Sequence, residues 1–147
     1  MNFFDPACGC GNFLIIAYRE LRALEIELLR ESHPKDQRVL DVAALSRLDV
    51  TQFYGIEISE FPARIAEVAL WMMDHIMNNR LSLEFGEVYA RIPLKASPHI
   101  RCADALELDW TRLLAAKDCS YVSGILRLSV RNNKARANAN KFIPLRG

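Results

Sequence analysis

Apolar positions recur along this chain with two periods, and the changes of period mark its elements. Residues 1–4 read as the end of a strand whose beginning is expected upstream, because strands usually run about five or six residues. From residue 12 to about residue 30, Phe13, Ile16, Ala17, Leu21, Leu24 and Leu28 fall at helical spacing, with Arg19, Glu20, Arg22, Glu25 and Glu27 largely between them. This predicts a long amphipathic helix whose apolar stripe, with Tyr18, packs on a sheet. A polar break with Pro34 leads into a weaker pattern over 39–48, read as an insertion with a short helix. Residues 53–58 form an apolar run containing Glu57, and Ser59 opens a helix with Pro62 in its first turn. That helix should reach about residue 77, with Ile65, Ala69, Met72, Met73 and Ile76 on one broad face and Trp71 and the methionines in the core. Residues 81–98, broken by Gly86, Pro93 and Pro98, are expected to be irregular, with a short strand near Leu83. A third strand is predicted over 99–106, with Asp104 at its end, a short helix over 109–116 and a fourth strand over 119–124. Strands that alternate with helices in this way predict an α/β fold: a doubly wound parallel sheet of about four strands with helices on both faces.

The densest local signal lies between the first strand and the first helix, at Asp5-Pro6-Ala7-Cys8-Gly9-Cys10-Gly11-Asn12-Phe13-Leu14. Gly9 and Gly11 can take positive φ, and the first N–H groups of the following helix have no partner within it, so an electron-rich ligand fits there. A dinucleotide fingerprint would place a third glycine where Leu14 stands, which argues against NAD. Asp5 argues the same way, since a carboxylate at a strand end repels a pyrophosphate and holds an ammonium group.

The run from Asp5 to Phe13 resembles the cofactor motif of the adenine-specific DNA methyltransferases, which usually carry serine where this chain has Cys10. Continued through Leu14-Ile15-Ile16-Ala17-Tyr18-Arg19-Glu20-Leu21-Arg22, it is most similar to the MmeI-like restriction-modification branch, where methyltransferase and restriction activities share one long polypeptide. The resemblance covers about residues 1–124. It implies a Rossmann-like sheet of the S-adenosylmethionine-dependent methyltransferase type, with Asp5, Ala7, Cys8, Gly9, Gly11, Asn12 and Phe13 around the methionine end of S-adenosyl-L-methionine. Glu57 at a strand end, with Ile58 beside it, can accept both ribose hydroxyls; taken alone such an acid is more often a solvated charge at a helix entry, and the resemblance favours the ribose role. Asp104 and Ala105 match the positions that hold the adenine. Gly9 and Glu57 are 48 positions apart, against roughly 20 in a plain βαβ unit, which supports an insertion between them. The family's catalytic motif, Asn or Asp followed by two prolines and an aromatic, is expected directly after Gly124. The chain has Ile125-Leu126-Arg127-Leu128 there and no catalytic residue is assigned. A family segment that closes over the methionine end is likewise expected upstream.

At 147 residues and 51% apolar composition, a single globular domain is expected. Charge is unevenly spread: residues 125–147 hold six basic residues and no acid, against 13 basic and 18 acidic residues before them. The acidic body lacks the basic face of a free-standing nucleic-acid binder, so DNA is expected to be met through regions outside this chain. Cys8, Cys10, Cys102 and Cys119 have neither zinc-ribbon nor C-x-x-C spacing, and His33, His75 and His99 stand apart. No metal site is expected, and the thiols suit a reducing cytoplasm. No apolar run approaches the length of a membrane span.

These features support a partial methyltransferase domain over 1–124 and a basic, poorly packed tail over 125–147. The tail is expected to be out-of-frame translation. If Gly124 onward were encoded GGA ATC CTC CGT TTG TCG, reading from the third base of the glycine codon would give Asn-Pro-Pro-Phe-Val. Three functions fit: a DNA adenine methyltransferase fragment inactive alone, a non-catalytic S-adenosylmethionine-binding module, and an N-terminal half completed by a separately encoded C-terminal half.

Overall fold

The structure, a computed structural model, describes residues 1–32, 46–85, 97–124 and 133–142. Four strands, β1 (Phe3–Asp5), β2 (Phe53–Glu57), β3 (His99–Cys102) and β4 (Tyr121–Val122), form one sheet in the order β3-β2-β1-β4. All its pairings are parallel, with Phe3 opposite both Phe53 and Tyr121, Asp5 opposite Gly55 and Glu57 opposite Cys102. The chain therefore winds outward from β1 through β2 to β3 and returns to the other side of β1 as β4.

Alternation along the strands divides the core into two layers. Phe3 and Phe53 point to one face, where Phe3 stacks between Phe53 at 4.9 Å and Tyr121 at 5.1 Å. There Leu14, Tyr18 and Ile26 of helix α1 (Asn12–Ser32) and Leu70, Met77 and Leu81 of helix α2 (Glu60–Phe85) complete a buried cluster. Phe4 and Ile56 point to the opposite face and pack with Ala105, Trp110 and Leu114. The Trp110 ring meets Phe4 edge-on at 5.3 Å, and its indole N–H donates to the Ala105 carbonyl at 2.8 Å. Helix α3 (Asn133–Phe142) closes this second layer, bringing Phe142 to 5.4 Å from Phe4 and the Asn138 amide to the Leu108 carbonyl. The α/β fold with a four-stranded parallel sheet is as the sequence predicts.

Several details differ. The stripe expected to bury α1 faces largely outward: Phe13, Ile16, Leu24 and Leu28 are exposed, and the buried line is Leu14, Tyr18, Arg22 and Ile26. On α2, Ile65, Met72 and Ile76 are likewise exposed, while Ala63, Ala66, Leu70, Asp74, Met77 and Asn78 are buried. The cause is a polar network between the helices. The Tyr18 hydroxyl donates to Asp74, and Arg22 binds Asn78 at 2.6 Å as well as Glu25 and Ser46. A buried guanidinium is tolerated only with such partners. Leu83, expected near a strand, is highly exposed on α2, which runs on to Phe85. Single 3₁₀ turns at Trp110–Arg112 and Ala116–Asp118 replace the helix expected over 109–116, and β3 ends at Cys102, two residues before Asp104. Within the expected tail, Asn133–Phe142 form helix α3. The short helix predicted over 39–48 falls mostly outside the described residues.

Candidate functional site

The carboxyl edge of the sheet collects the acids singled out in the sequence. Asp5 is the last residue of β1 and Glu57 the last of β2, while Asp104 lies in the turn after β3. Since β2 and β4 flank β1 on opposite sides, the winding reverses between β1 and β4, and ligands of open α/β sheets bind beyond the strand ends at such a point.

The turn after β1 is held from below. Cys8 N–H donates to the Ile56 carbonyl at 3.0 Å, and Gly11 N–H to the Cys8 carbonyl at 2.8 Å. The Cys8 side chain faces inward, against the bare Cα of Gly55, and burial together with Asp5 and Glu57 pushes its thiol up to about 12. Cys8 is thus a core residue with both backbone groups engaged. Gly9 and Gly11 have φ of 56° and 84°, as the turn requires. A methyl group on Gly11 would come within 2.9 Å of Ala66 Cβ, so its absence also lets α2 reach the turn. Beyond Gly11, Asn12 and Phe13 open α1 on exposed positions.

The three acids sit in different environments. Asp5 is fully buried; Oδ1 accepts the Ala7 N–H at 2.9 Å, while Oδ2 has no partner. Burial raises its pKa above the usual carboxylate range, opposed by the Ala7 bond and reinforced by the charge of Glu57. Glu57 accepts from Gly9 N–H at 3.1 Å and from Ser59 N–H at 2.9 Å, tying the glycine turn to the start of α2. Asp104 accepts from Leu106 N–H at 2.8 Å, and the Ala103 N–H returns to the Glu57 carbonyl at 2.9 Å.

Between the second and third acid lies a cavity of about 170 Å³, bounded by Pro6, Ala7, Glu57, Ile58, Asp104 and Ala105. Ile56, Ala103 and Leu106 complete its lining, and exposed Ile58 forms its rim. It is narrow, mostly apolar and acidic at two points, suited to the flat ring and hydroxyls of a nucleoside. A larger apolar groove of about 760 Å³, lined by Met1, Leu21, Leu24 and Gln52 among others, lies at the other edge, where β1 and β2 begin. It holds none of the singled-out residues.

Of the residues singled out in the sequence, the structure brings Ala7, Glu57, Ile58, Asp104 and Ala105 to one cavity, and Asp5, Cys8, Gly9, Gly11, Asn12 and Phe13 do not line it. The sequence reading missed Gly124, which has φ of 103° and lies against the Asp5 carboxylate. A glycine just past a strand end was the available signal. Among the described residues no three His, Cys, Asp or Glu side chains could share a metal ion, and no helix is long and apolar enough to cross a membrane.

Comparison with known proteins gives three matches. The family described as the DNA-methyltransferase domain of MmeI matches residues 1–139. DNA methyltransferase A of Bacillus subtilis (strain 168) is 41% identical over 123 residues, which is 83% of this chain and 14% of that protein. The solved structure of the Type IIL restriction-modification enzyme MmeI in complex with DNA superposes with a TM-score of 0.77 at 60% identity. That match covers 83% of this chain and 16% of the MmeI chain, so the chain spans about a sixth of the relatives it matches.

Proposed function

Because the chain belongs to the MmeI DNA-methyltransferase domain family, we propose that it is the cofactor-binding part of an enzyme that methylates adenine N6 in DNA, with S-adenosyl-L-methionine as donor. The observation that carries this reading is the edge itself: three acids of different environment around a glycine turn, one of them with an orphaned buried oxygen. The residues fit the donor. Asp5 Oδ2 would take the ammonium, Glu57 the ribose hydroxyls, and Asp104 with the Ala105 backbone the adenine edge, in the cavity behind Ile58. When bound, the cofactor supplies an electrophilic methyl group. The chain's contribution is to orient it: the N–H groups at the start of α1 would donate to its carboxylate, and Gly9 and Gly11 leave room for its approach. Asn12 and Phe13 contribute from the first turn of α1.

The chemistry also needs a polar acceptor for the target amino group and an aromatic face for a flipped base. Residues 125–128, Ile-Leu-Arg-Leu, offer neither. The chain therefore binds without transferring, either as a non-catalytic module or as an N-terminal half completed by a separately encoded partner, with DNA held by regions outside it. The frame reading, in which a lost base near Gly124 replaced Asn-Pro-Pro-Phe, rests on the residues that stand at 125–128 in place of the motif, while the family match itself runs on to residue 139. Sequencing the coding DNA tests it: codons that yield the motif in neither alternative frame refute it. A reducing cytoplasm is the proposed location, on the strength of the unpaired cysteines.

Calorimetry with S-adenosylmethionine on the wild type and on Asp5→Ala tests the site. Binding by the wild type, weakened in the variant, is expected; equal binding by both places the pocket elsewhere. Labelled methyl should not enter adenine-containing DNA above a blank, and incorporation would show that the chain carries its own catalytic group.

A further inference from the structure

Gly124 is not part of the cofactor motif, yet it makes the closest approach to Asp5 of any glycine in the described chain. A methyl group built on it would stand 2.2 Å from Asp5 Oδ1, 2.8 Å from Cγ and 3.2 Å from Oδ2. These distances are far inside van der Waals contact, so no side chain fits while the turn stays in place. The turn is fixed by the sheet: Ser123 N–H donates to the Phe4 carbonyl at 2.9 Å, directly beyond the pairing of Phe4 with Val122. Its φ of 103° is a second reason for glycine. Asp5 itself is wholly covered, and its Oδ2 is a buried polar atom without a partner.

We propose that Gly124 is a positioning residue for the cofactor's ammonium group: its bare Cα lets the turn after β4 close over the Asp5 carboxylate and hold a cation against Oδ2. This inference rests on the cofactor reading above and extends it from the β1 turn to β4. A side chain at 124 would displace either Oδ1 from the Ala7 N–H or the turn from its bond to the Phe4 carbonyl. Among the described residues the ionisable groups near the carboxylate are Glu57 and the Cys8 thiol. Neither of these supplies a positive charge.

The test has two arms on the full chain. In the first, carboxyl NMR follows the titration of Asp5 in the wild type and in Gly124→Ala. The wild type should titrate above the usual range because it is covered, and the variant lower, because a displaced turn admits water. In the second, calorimetry with S-adenosylmethionine should show affinity about tenfold lower in Gly124→Ala. The same substitution in an Asp5→Ala background should change affinity little, which a merely structural role of Gly124 would not produce. An ordinary wild-type titration of Asp5, or an unchanged one in a folded Gly124→Ala, overturns the proposal, as does unchanged affinity. Should the variant fail to fold, the wild-type titration still decides whether the carboxylate is covered. Absence of binding by the wild type would overturn the cofactor role, whereas the titration arm separately tests the contact of Gly124 with Asp5.

Discussion

Asp5→Asn separates stability from binding in this fold. The substitution keeps the shape of the side chain and an acceptor for the Ala7 N–H, and removes the buried charge that faces Glu57. The folded chain holds the Asp5 proton more tightly than the unfolded chain, whose carboxyl titrates near 3.8. Stability therefore falls as pH rises from 3.8 through the raised midpoint, and above that midpoint the full penalty is present. Each unit of elevation costs about 1.4 kcal/mol at neutral pH. Asparagine carries no such penalty, so the stability of Asp5→Asn relative to wild type should be greater at pH 7 than near pH 3.8. Its unpaired amide costs about 1 kcal/mol at either pH and cancels in that comparison. Asp74 is also raised by burial and contributes the same sign in both proteins, so it cancels too. Urea unfolding at the two pH values measures the difference. At the same time S-adenosylmethionine binding should weaken by about 2 kcal/mol or more, because an amide replaces the partner of a cation. A stability difference that is equal at both pH values, or larger in acid, would refute the reasoning.

Two further substitutions test the scaffold. Gly11→Ala should destabilise by about 2 kcal/mol or more, since it combines a strained positive φ with a 3.2 Å approach to the Ala66 backbone, and its urea midpoint reports it. Tyr18→Phe should cost about 1–3 kcal/mol by leaving the buried Asp74 short of a donor; a loss below a few tenths would show that the bond contributes nothing net.

The candidate site was legible in the sequence because its residues sit at chain positions with fixed geometry. A glycine turn after a short apolar run must bring Asp5 to a strand end, and the apolar residues 53–56 ahead of Glu57 place that acid at the neighbouring end. Parallel pairing then aligns the two, whatever the helices do. Asp104 was placed one step too early, on the strand rather than in the turn after it, because an apolar run does not mark where hydrogen bonding stops.

The helix faces were not legible, for a reason visible in α1. It carries two lines of large residues, Phe13, Ile16, Leu24, Leu28 and Leu14, Tyr18, Arg22, Ile26, and hydropathy alone favours the first. The second is buried because Arg22 and Tyr18 find Asn78 and Asp74, each 56 residues away on α2. Local periodicity carries no information about such partners, and without them the second line would be the costlier one to bury. The same limit hid Gly124: that it must lack a side chain follows from β4 lying beside β1, a pairing of residues more than a hundred positions apart. The sequence by itself determined the alternation of strands and helices and the acids at the carboxyl edge. Tertiary pairing alone decided which helix faces are buried and which turn closes over Asp5.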